Sequence, residues 1–411
     1  MQSAVHRPAP TVVLIAPLAP DRAIESLGAT AKLEMVIRML RNLGFAVHLV
    51  DSSHPRLPPG RLWAAAIHGR PGRIEGEVVI WSRPFCIASR RLGKLLNIFL
   101  AGFFVARLAA LRPVFIWIYN AYAFEGRLAL KLTSRCRAPI VLELEDLPLA
   151  RNRRLNPKPY LDEWYFRRLL RRVSLITFVN HVLMQRYDQA RFRKLLLPSV
   201  LRGEFLPVDG IRKFAGATYT LGYFGGLEVD KGADVLLEAL PRLPPGWRLV
   251  VTGRGELHER FAAAAARHPG RMAFLGVVDR ARLTEAMRGC DAIVNPHKPI
   301  AAMGEGVFPF KVCESIAVGA LLISTPLPAI EIDLSRGIRF FSGSSDALVD
   351  AVAGAPGFYA AHHADIAELR AAVCDRFSRA TIEGQLSEQI SHLVGVVTPA
   401  AASLTDAEAT L

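Results

Sequence analysis

The sequence predicts an α/β protein of two doubly wound domains, and three observations carry that expectation. Short β-branched runs alternate with longer stretches of helical period, the pattern of parallel strands covered by helices on both faces. The alternation starts twice, near the N-terminus and again after Pro207. The chain has 411 residues, 51% of them apolar and 21% charged, enough for two or three cores and for burial to offset its ordering entropy.

Strands of the first series are expected at residues 12–16, 46–50, 78–81, 114–119, 140–144 and 175–179. Between the first two, residues 30–43 carry apolar side chains at 33, 36, 37, 40 and 43, an amphipathic helix that Gly44 ends. Residues 92–111 read as one further helix stopped by Pro113. Asn97 and Arg107 interrupt it, so it falls short of the roughly 20 apolar residues a membrane span needs. The second series runs strand 219–224, helix 233–243, strand 248–252, helix 256–268, strand 272–275, helix 280–288, strand 292–295, helix 310–318 and strand 321–325. Pro, Gly and charge interrupt the pattern at residues 202–217, where a domain boundary belongs. The last helix, 377–397, has one apolar stripe at 382, 386, 390, 393 and 397 and is too long to cap one small sheet. The expected division is 1–205, 206–375, a crossover helix at 376–397 and a frayed tail at 398–411.

The formal charge of +14 is unevenly shared. Residues 1–200 carry 31 basic and 13 acidic side chains, a net +18, whereas residues 201–411 carry 20 and 24, a net −4. The first half therefore calls for an anionic partner, and nucleic acid, acidic headgroups and pyrophosphate-linked substrates all satisfy that. No recognisable RNA- or DNA-binding motif accompanies the charge, so nucleic acid is set aside. The densest basic run, residues 151–172, interleaves Tyr160, Trp164, Tyr165 and Phe166 with its cations, which suits an anionic membrane surface; a solvated loop and helix face is the plainer alternative. Cys86, Cys136, Cys290, Cys313 and Cys374 are widely spaced, odd in number and form no C-x-x-C pair, which favours a reducing compartment and argues against zinc. The opening run TVVLIAP is too short for a signal-peptide core. The expected location is the cytoplasm, with peripheral attachment to the inner face of the cytoplasmic membrane.

Three glycine-containing segments of the second half hold the candidate site residues. In YTLGYFGGLEVDKGADVLLEAL a strand leads to a turn at Gly225 and Gly226, and Lys231 and Gly232 open a helix. Such a turn lets backbone N–H groups approach an anion, a helix N-terminus adds partial positive charge, and Lys231 adds a full one. An ordinary strand-to-helix turn with an exposed lysine has the same pattern. In RLVVTGRGELHERF, Gly253, Arg254 and Gly255 follow a strand, as a further phosphate contact through Arg254 or as a loop kept small for packing. In NPHKPIAAMGEGVFPFKVCESIAVGALLISTP a loop holds Gly304, Glu305 and Gly306, Pro309 starts a helix, and Lys311 and Glu314 share one helix face. A surface ion pair accounts for that spacing, and so does a cation for phosphate beside a carboxylate for sugar hydroxyls.

In this order along one chain the segments resemble GT-B glycosyltransferases of the retaining group 1, family 4 type, most clearly over residues 219–326. MAFLGVVDRARLTEAMRGCDAIVNP is similar to that family's base-pocket segment, and RFSRATIEGQLSEQISHLV to the terminal helix that returns from the second domain to pack on the first. The resemblance implies two Rossmann-like domains facing a cleft, with a nucleotide-sugar donor held by the second. It implies Lys231 and Lys311 on the diphosphate and Glu314 on the ribose. The amides of Gly304, Glu305 and Gly306 would meet the sugar, with Gly225, Gly226 and secondarily Arg254 near the phosphates. IAPLAPDRAIESLGATAKLEMVIRMLRNLGFAVHLV is similar to the family's first strand, glycine loop and helix, and places Gly28 near the cleft. IWIYNAYAFEG and ELEDLPLA put Asn120 and Glu145 or Asp146 where acceptor contacts fall. Gly226 stands where the family often has an arginine. Eight residues before Glu314, where a second glutamate is usual, stands Gly306, with Glu305 one place off.

The implied activity is sugar transfer to a lipid-linked or polysaccharide acceptor, with retention and with no metal or other cofactor. No Asp-x-Asp motif occurs at a suitable strand end, so lysines, loop amides and helix N-termini carry the stabilisation. The alternative is a catalytically degenerate GT-B scaffold that binds a nucleotide sugar or a partner enzyme. His54, His181, His297, His362 and His363 read as surface or packing residues, and no general base is assigned.

Overall fold

A computed structural model describes residues 9–18, 28–53, 63–64, 69–73, 77–81, 86–87, 90–145, 147, 158–188, 191–198, 200–206, 213–298, 310–326 and 332–395. Its contacts divide into two units: residues up to Val179 with Tyr187–Leu197 and the chain from Glu383, and Asn180–Arg186 with Pro198–Ile382.

The first unit contains β1 (Thr11–Ala16), β2 (Ala46–Asp51), β3 (Trp63–Ala64), β4 (Gly69–Arg73), β5 (Glu77–Trp81), β6 (Cys86–Ile87), β7 (Phe115–Tyr119), β8 (Ile140–Leu144), β9 (Val173–Phe178) and β10 (Arg193–Leu196). Eight of them form one sheet in the order β10-β9-β8-β7-β1-β2-β5-β4, and β3 pairs with β6. Neighbours in the large sheet are parallel except β4, which runs antiparallel to β5. Its central strands read TVVLIA, FIWIY and IVLEL, near-continuous apolar runs, because strands covered on both faces have no solvent side to mark. The short strands β3, β4, β6 and β10 escaped the periodic reading. GRPGR, at the sheet edge, owes its pairing to Trp81 and its neighbours rather than to any apolar alternation of its own.

The helix Gly28–Asn42 buries Leu33, Val36, Ile37 and Leu40, and Gly44 closes it at φ +84° while Phe45 N–H donates to the Leu40 carbonyl at 3.0 Å. The stretch read as one helix is two, Arg90–Leu100 and Gly102–Ala110, meeting at Ala101 beside a glycine, a weak helix former. Arg379–Val394 buries Ile382, Leu386 and Ile390 as its stripe requires. Its residues from Glu383 belong to the first unit, where Asn42 donates to Glu383 at 3.0 Å and Arg193 to Gln389 at 2.8 Å.

The second unit has β11 (Tyr219–Phe224), β12 (Trp247–Thr252), β13 (Met272–Gly276), β14 (Ala292–Asn295), β15 (Leu321–Ser324) and β16 (Arg339–Phe340). All are parallel, in the order β13-β12-β11-β14-β15-β16. Side chains alternate between two cores. Tyr223, Val251 and Ile323 pack with Leu236, Phe261 and Leu348 on one face, while Phe224, Ile293 and Leu322 pack with Val312 and Ile316 on the other. Both units are thus Rossmann-like α/β domains. Cys136, Cys290, Cys313 and Cys374 are free thiols, and among the described residues no helix is long and apolar enough to cross a membrane.

Candidate functional site

In the second unit β11 is flanked by β12 on one side and β14 on the other. Connections from the carboxyl ends of such strands depart in opposite directions and leave a crevice, the usual ligand position in open parallel sheets. Two segments emerge there: Gly225 and Gly226 after β11, and Pro296 to Lys298 after β14.

Close backbone approach dictates the glycines. A Cβ on Gly253 would lie 1.9 Å from the Gly225 carbonyl oxygen, and one on Gly232, at φ +73°, would lie 1.8 Å from that of Pro296. No side chain fits either place. Gly232 follows a single 3-10 turn, Val229–Lys231, so the turn bearing Lys231 is pressed against the segment leaving β14. Further bonds fix that segment: Lys298 pairs with Asp234 at 2.6 Å, its N–H donates to the Asp230 carbonyl at 3.3 Å, and the Thr325 hydroxyl donates to the His297 carbonyl at 2.6 Å.

Three basic side chains converge on the turn. The Lys311 ammonium lies 4.8 Å above the Tyr223 ring and 3.2 Å from where a Cβ on Gly225 would stand, and the Tyr223 hydroxyl donates to the Gly226 carbonyl. Lys231 Nζ is 3.3 Å from His297 Nε2, and His297 Nδ1 is 2.9 Å from the Lys298 carbonyl oxygen. Burial, and then the charge of Lys231, lower the Lys311 pKa to about 8. Burial also lowers that of His297; the Lys298 carbonyl and Asp230 oppose this, while Lys231 and Lys311 reinforce it. Lys311 and His297, whose charged forms are disfavoured in this way, gain when an anion arrives, which is the electrostatics of a preorganised anion site. Among the described residues no group of three or more His, Cys, Asp or Glu is placed to hold a metal ion.

Lys231, Lys311 and Gly225 are therefore brought together, with Gly226 alongside: a Cβ there would meet Glu228 Oε2 at 3.3 Å and Lys231 Cγ at 3.7 Å. Glu314 is engaged by Arg202 at 3.0 Å rather than by Lys311; burial raises its pKa against the pull of Arg202. Arg254 is exposed, and its carbonyl accepts from Leu227 N–H at 2.8 Å. Gly304, Glu305, Gly306 and Asp146 lie outside the described residues.

In the first unit Gly28 opens the first helix. Asn120 follows β7 at φ +56°, where β7 and β1 form the corresponding change of strand order. Its side-chain oxygen accepts from Glu145 N–H at 2.8 Å, and its own N–H donates to the Glu143 carbonyl at 2.8 Å. The Glu145 carboxylate pairs with Lys32, which also lies 3.4 Å from Glu143 and donates to the Leu197 carbonyl at 2.6 Å. Trp117 Nε1 donates to Glu143 at 2.9 Å. Burial disfavours the Lys32 ammonium, but Glu145 and Glu143 outweigh it and raise its pKa; burial likewise raises that of Glu143.

Sequence reasoning passed over Lys32, Glu143, Arg202 and Tyr223, and took His297 for packing or surface. A lone charge in IVLEL and a lysine four residues before Val36 on the apolar stripe were the available signals for two of them.

Residues 218–355 match the family model described as glycosyl transferases group 1. A glycogen synthase of Thermus thermophilus is 40% identical over 81 residues, 19% of this chain and 18% of its own length. A phosphatidyl-myo-inositol mannosyltransferase of Mycolicibacterium smegmatis is 31% identical over 133 residues, 32% of this chain and 32% of its own length. The matches thus span at most about a third of these two relatives. Among solved structures, Anabaena HepE in complex with UDP aligns with TM-score 0.63 at 16% identity, covering 93% of this chain and 100% of that one. Sucrose-phosphate synthase of Thermosynechococcus elongatus aligns with TM-score 0.66 at 14% identity, covering 94% and 99%. At these identities the likeness is one of fold.

Proposed function

We propose that this chain, a GT-B protein whose residues 218–355 belong to the glycosyl transferases group 1 family, moves a sugar from a nucleotide-sugar donor to a lipid-linked or polysaccharide acceptor. The observation that carries this reading is the convergence of Lys231 and Lys311 on the Gly225 turn, inside the matched segment and at the change of strand order. Breaking the bond between the anomeric carbon and the diphosphate leaves negative charge on the departing oxygen and oxocarbenium-like positive charge on the sugar. Fixed cations that meet the first of these lower the barrier. An ammonium at about 4 Å gains roughly 4 kcal/mol at an effective dielectric near 20, before desolvation is subtracted. Lys231 and Lys311 take this role, Glu314 accepts from the ribose hydroxyls, and Asn120 and Glu145 belong to the acceptor region. Retention needs no general base from the protein if the leaving phosphate takes the acceptor's proton.

An anionic membrane surface is the proposed setting. In the basic first unit Arg127 stands 5.6 Å over the Phe99 ring and bonds the Tyr165 hydroxyl at 2.9 Å. Tyr165 packs edge-on against Trp164 at 4.6 Å, and Arg168 stands 4.5 Å over Trp164. Phe99 is 58% and Trp164 47% exposed, while Tyr165, which links the two contacts, is buried. Exposed rings beside guanidinium groups suit a headgroup layer.

Thermal shift with UDP-, GDP- and ADP-sugars identifies the donor, since a ligand of the folded state raises apparent stability. With that donor, Lys231→Ala and Lys311→Ala are each expected to lower turnover by at least about a hundredfold. Unchanged turnover in both refutes the assignment. Gly226, which offers no side chain where the family often has arginine, favours a second reading as a binding scaffold. Donor binding without transfer to any acceptor supports that reading.

A further inference from the structure

We infer that His297 is a third basic ligand of the diphosphate site, neutral while the site is empty and charged once a pyrophosphate-type anion is bound. This rests on the donor-site reading above and adds to it one residue and one proton. The ring is held from behind. Its Nδ1 lies 2.9 Å from the Lys298 carbonyl oxygen, so Nδ1 carries hydrogen and Nε2 is left as the nitrogen that changes state. Nε2 faces Lys231 Nζ at 3.3 Å and accepts from it while neutral. The backbone cannot swing away, because the Thr325 hydroxyl grips the His297 carbonyl at 2.6 Å and Lys298 is tied to Asp234 at 2.6 Å.

The charged groups around the ring come from three elements. The turn Val229–Lys231 contributes Lys231 and Asp230, and the helix Lys311–Ala317 contributes Lys311. Lys298, on the ring's own segment, is neutralised by Asp234. Burial and two lysines oppose the imidazolium, against the single carboxylate of Asp230 and the Lys298 carbonyl, so the empty site holds His297 neutral at pH 7. An anion bound by Lys231 reverses the local field. Lys231 then turns its N–H groups from the imidazole to the anion, and Nε2 takes a proton from solvent and donates it to the same ligand. No covalent bond changes; the proton comes from the medium and returns when the anion leaves.

The test is an NMR titration of the His297 ring in the full chain, with the signal assigned by its absence in His297→Gln, alone and with saturating UDP, GDP and ADP in turn. The unliganded value is expected below the ordinary 6.5. The diphosphate that binds is expected to raise it by about one unit, which corresponds to about tenfold tighter binding at pH values below both. Relative to His297→Gln, wild-type affinity for that diphosphate should therefore improve as pH falls through the liganded value. Above about pH 8 the two proteins should bind alike. The ligand's own protonation is common to both and cancels. A diphosphate that binds without moving the His297 titration overturns this inference and leaves the donor-site reading standing; three that fail to bind remove both.

Discussion

Lys311 gives up its proton near pH 8, because burial and the neighbouring Lys231 both oppose its charge. Its value is depressed, so the ammonium that would meet a diphosphate is present below that pH and lost above it. For the nucleotide sugar, kcat/KM reports the free enzyme and should fall by roughly tenfold per unit once pH exceeds about 8. Lys311→Arg should carry that fall to higher pH, since a guanidinium keeps its proton. Initial rates that stay flat through the alkaline range in the wild-type protein contradict the role given to Lys311. Tyr223 contacts both parts of the site, with its ring beneath the Lys311 ammonium and its hydroxyl on the Gly226 carbonyl. It thereby couples the turn to the cation.

Polar contacts tie the first helix to the end of β8. Lys32, 5% exposed, reaches Glu143, Glu145 and the Leu197 carbonyl, joining three parts of the chain through one nitrogen. Removing that nitrogen strands Glu143, which is 2% exposed and would keep only the Trp117 N–H. Breaking one side of a buried ion pair costs about 3–5 kcal/mol, so Lys32→Met should lower unfolding stability by that order in urea. Adding Glu143→Gln removes the buried carboxyl that Lys32→Met leaves without its cation and should restore part of the loss. A double variant no more stable than Lys32→Met would show that the buried carboxylate is not what destabilises it.

The charge of the whole molecule lies almost entirely before residue 200, at +18 against −4 after it. Opposite signs on the two halves make adhesion through the first half the favoured orientation on an anionic surface. Exposed Phe99 and Trp164 supply rings for the interface, and Arg168 over Trp164 supplies a cation for headgroups. Sedimentation with vesicles rich in phosphatidylglycerol should exceed that with phosphatidylcholine, and salt should weaken it over a Debye length of about 10 Å at 0.1 M. Phe99→Ser with Trp164→Ser should reduce it while leaving transfer to a soluble acceptor analogue unchanged. Equal sedimentation with both lipids counts against a membrane setting.

Period and punctuation along the chain were enough to mark the central strands of both sheets, though not the edge strands β4, β10 and β16, and also the helix ended by Gly44 and the stripe of the last helix, because burial of a local element depends on spacing that a short window contains. The glycines at 225, 232 and 253 were legible for the same reason, and with them Lys231 and Lys311. The partners of the polar groups were not. Lys231 and His297 are 66 residues apart, Arg202 and Glu314 112, and Lys32 and Glu145 113. The first pair depends on sheet order setting β11 beside β14 and the last on β1, β7 and β8 lying side by side, and no local pattern encodes which strand becomes whose neighbour. Sequence spacing thus determined where anion-binding groups could arise. Tertiary packing decided which of them share a crevice, and so which charges oppose one another.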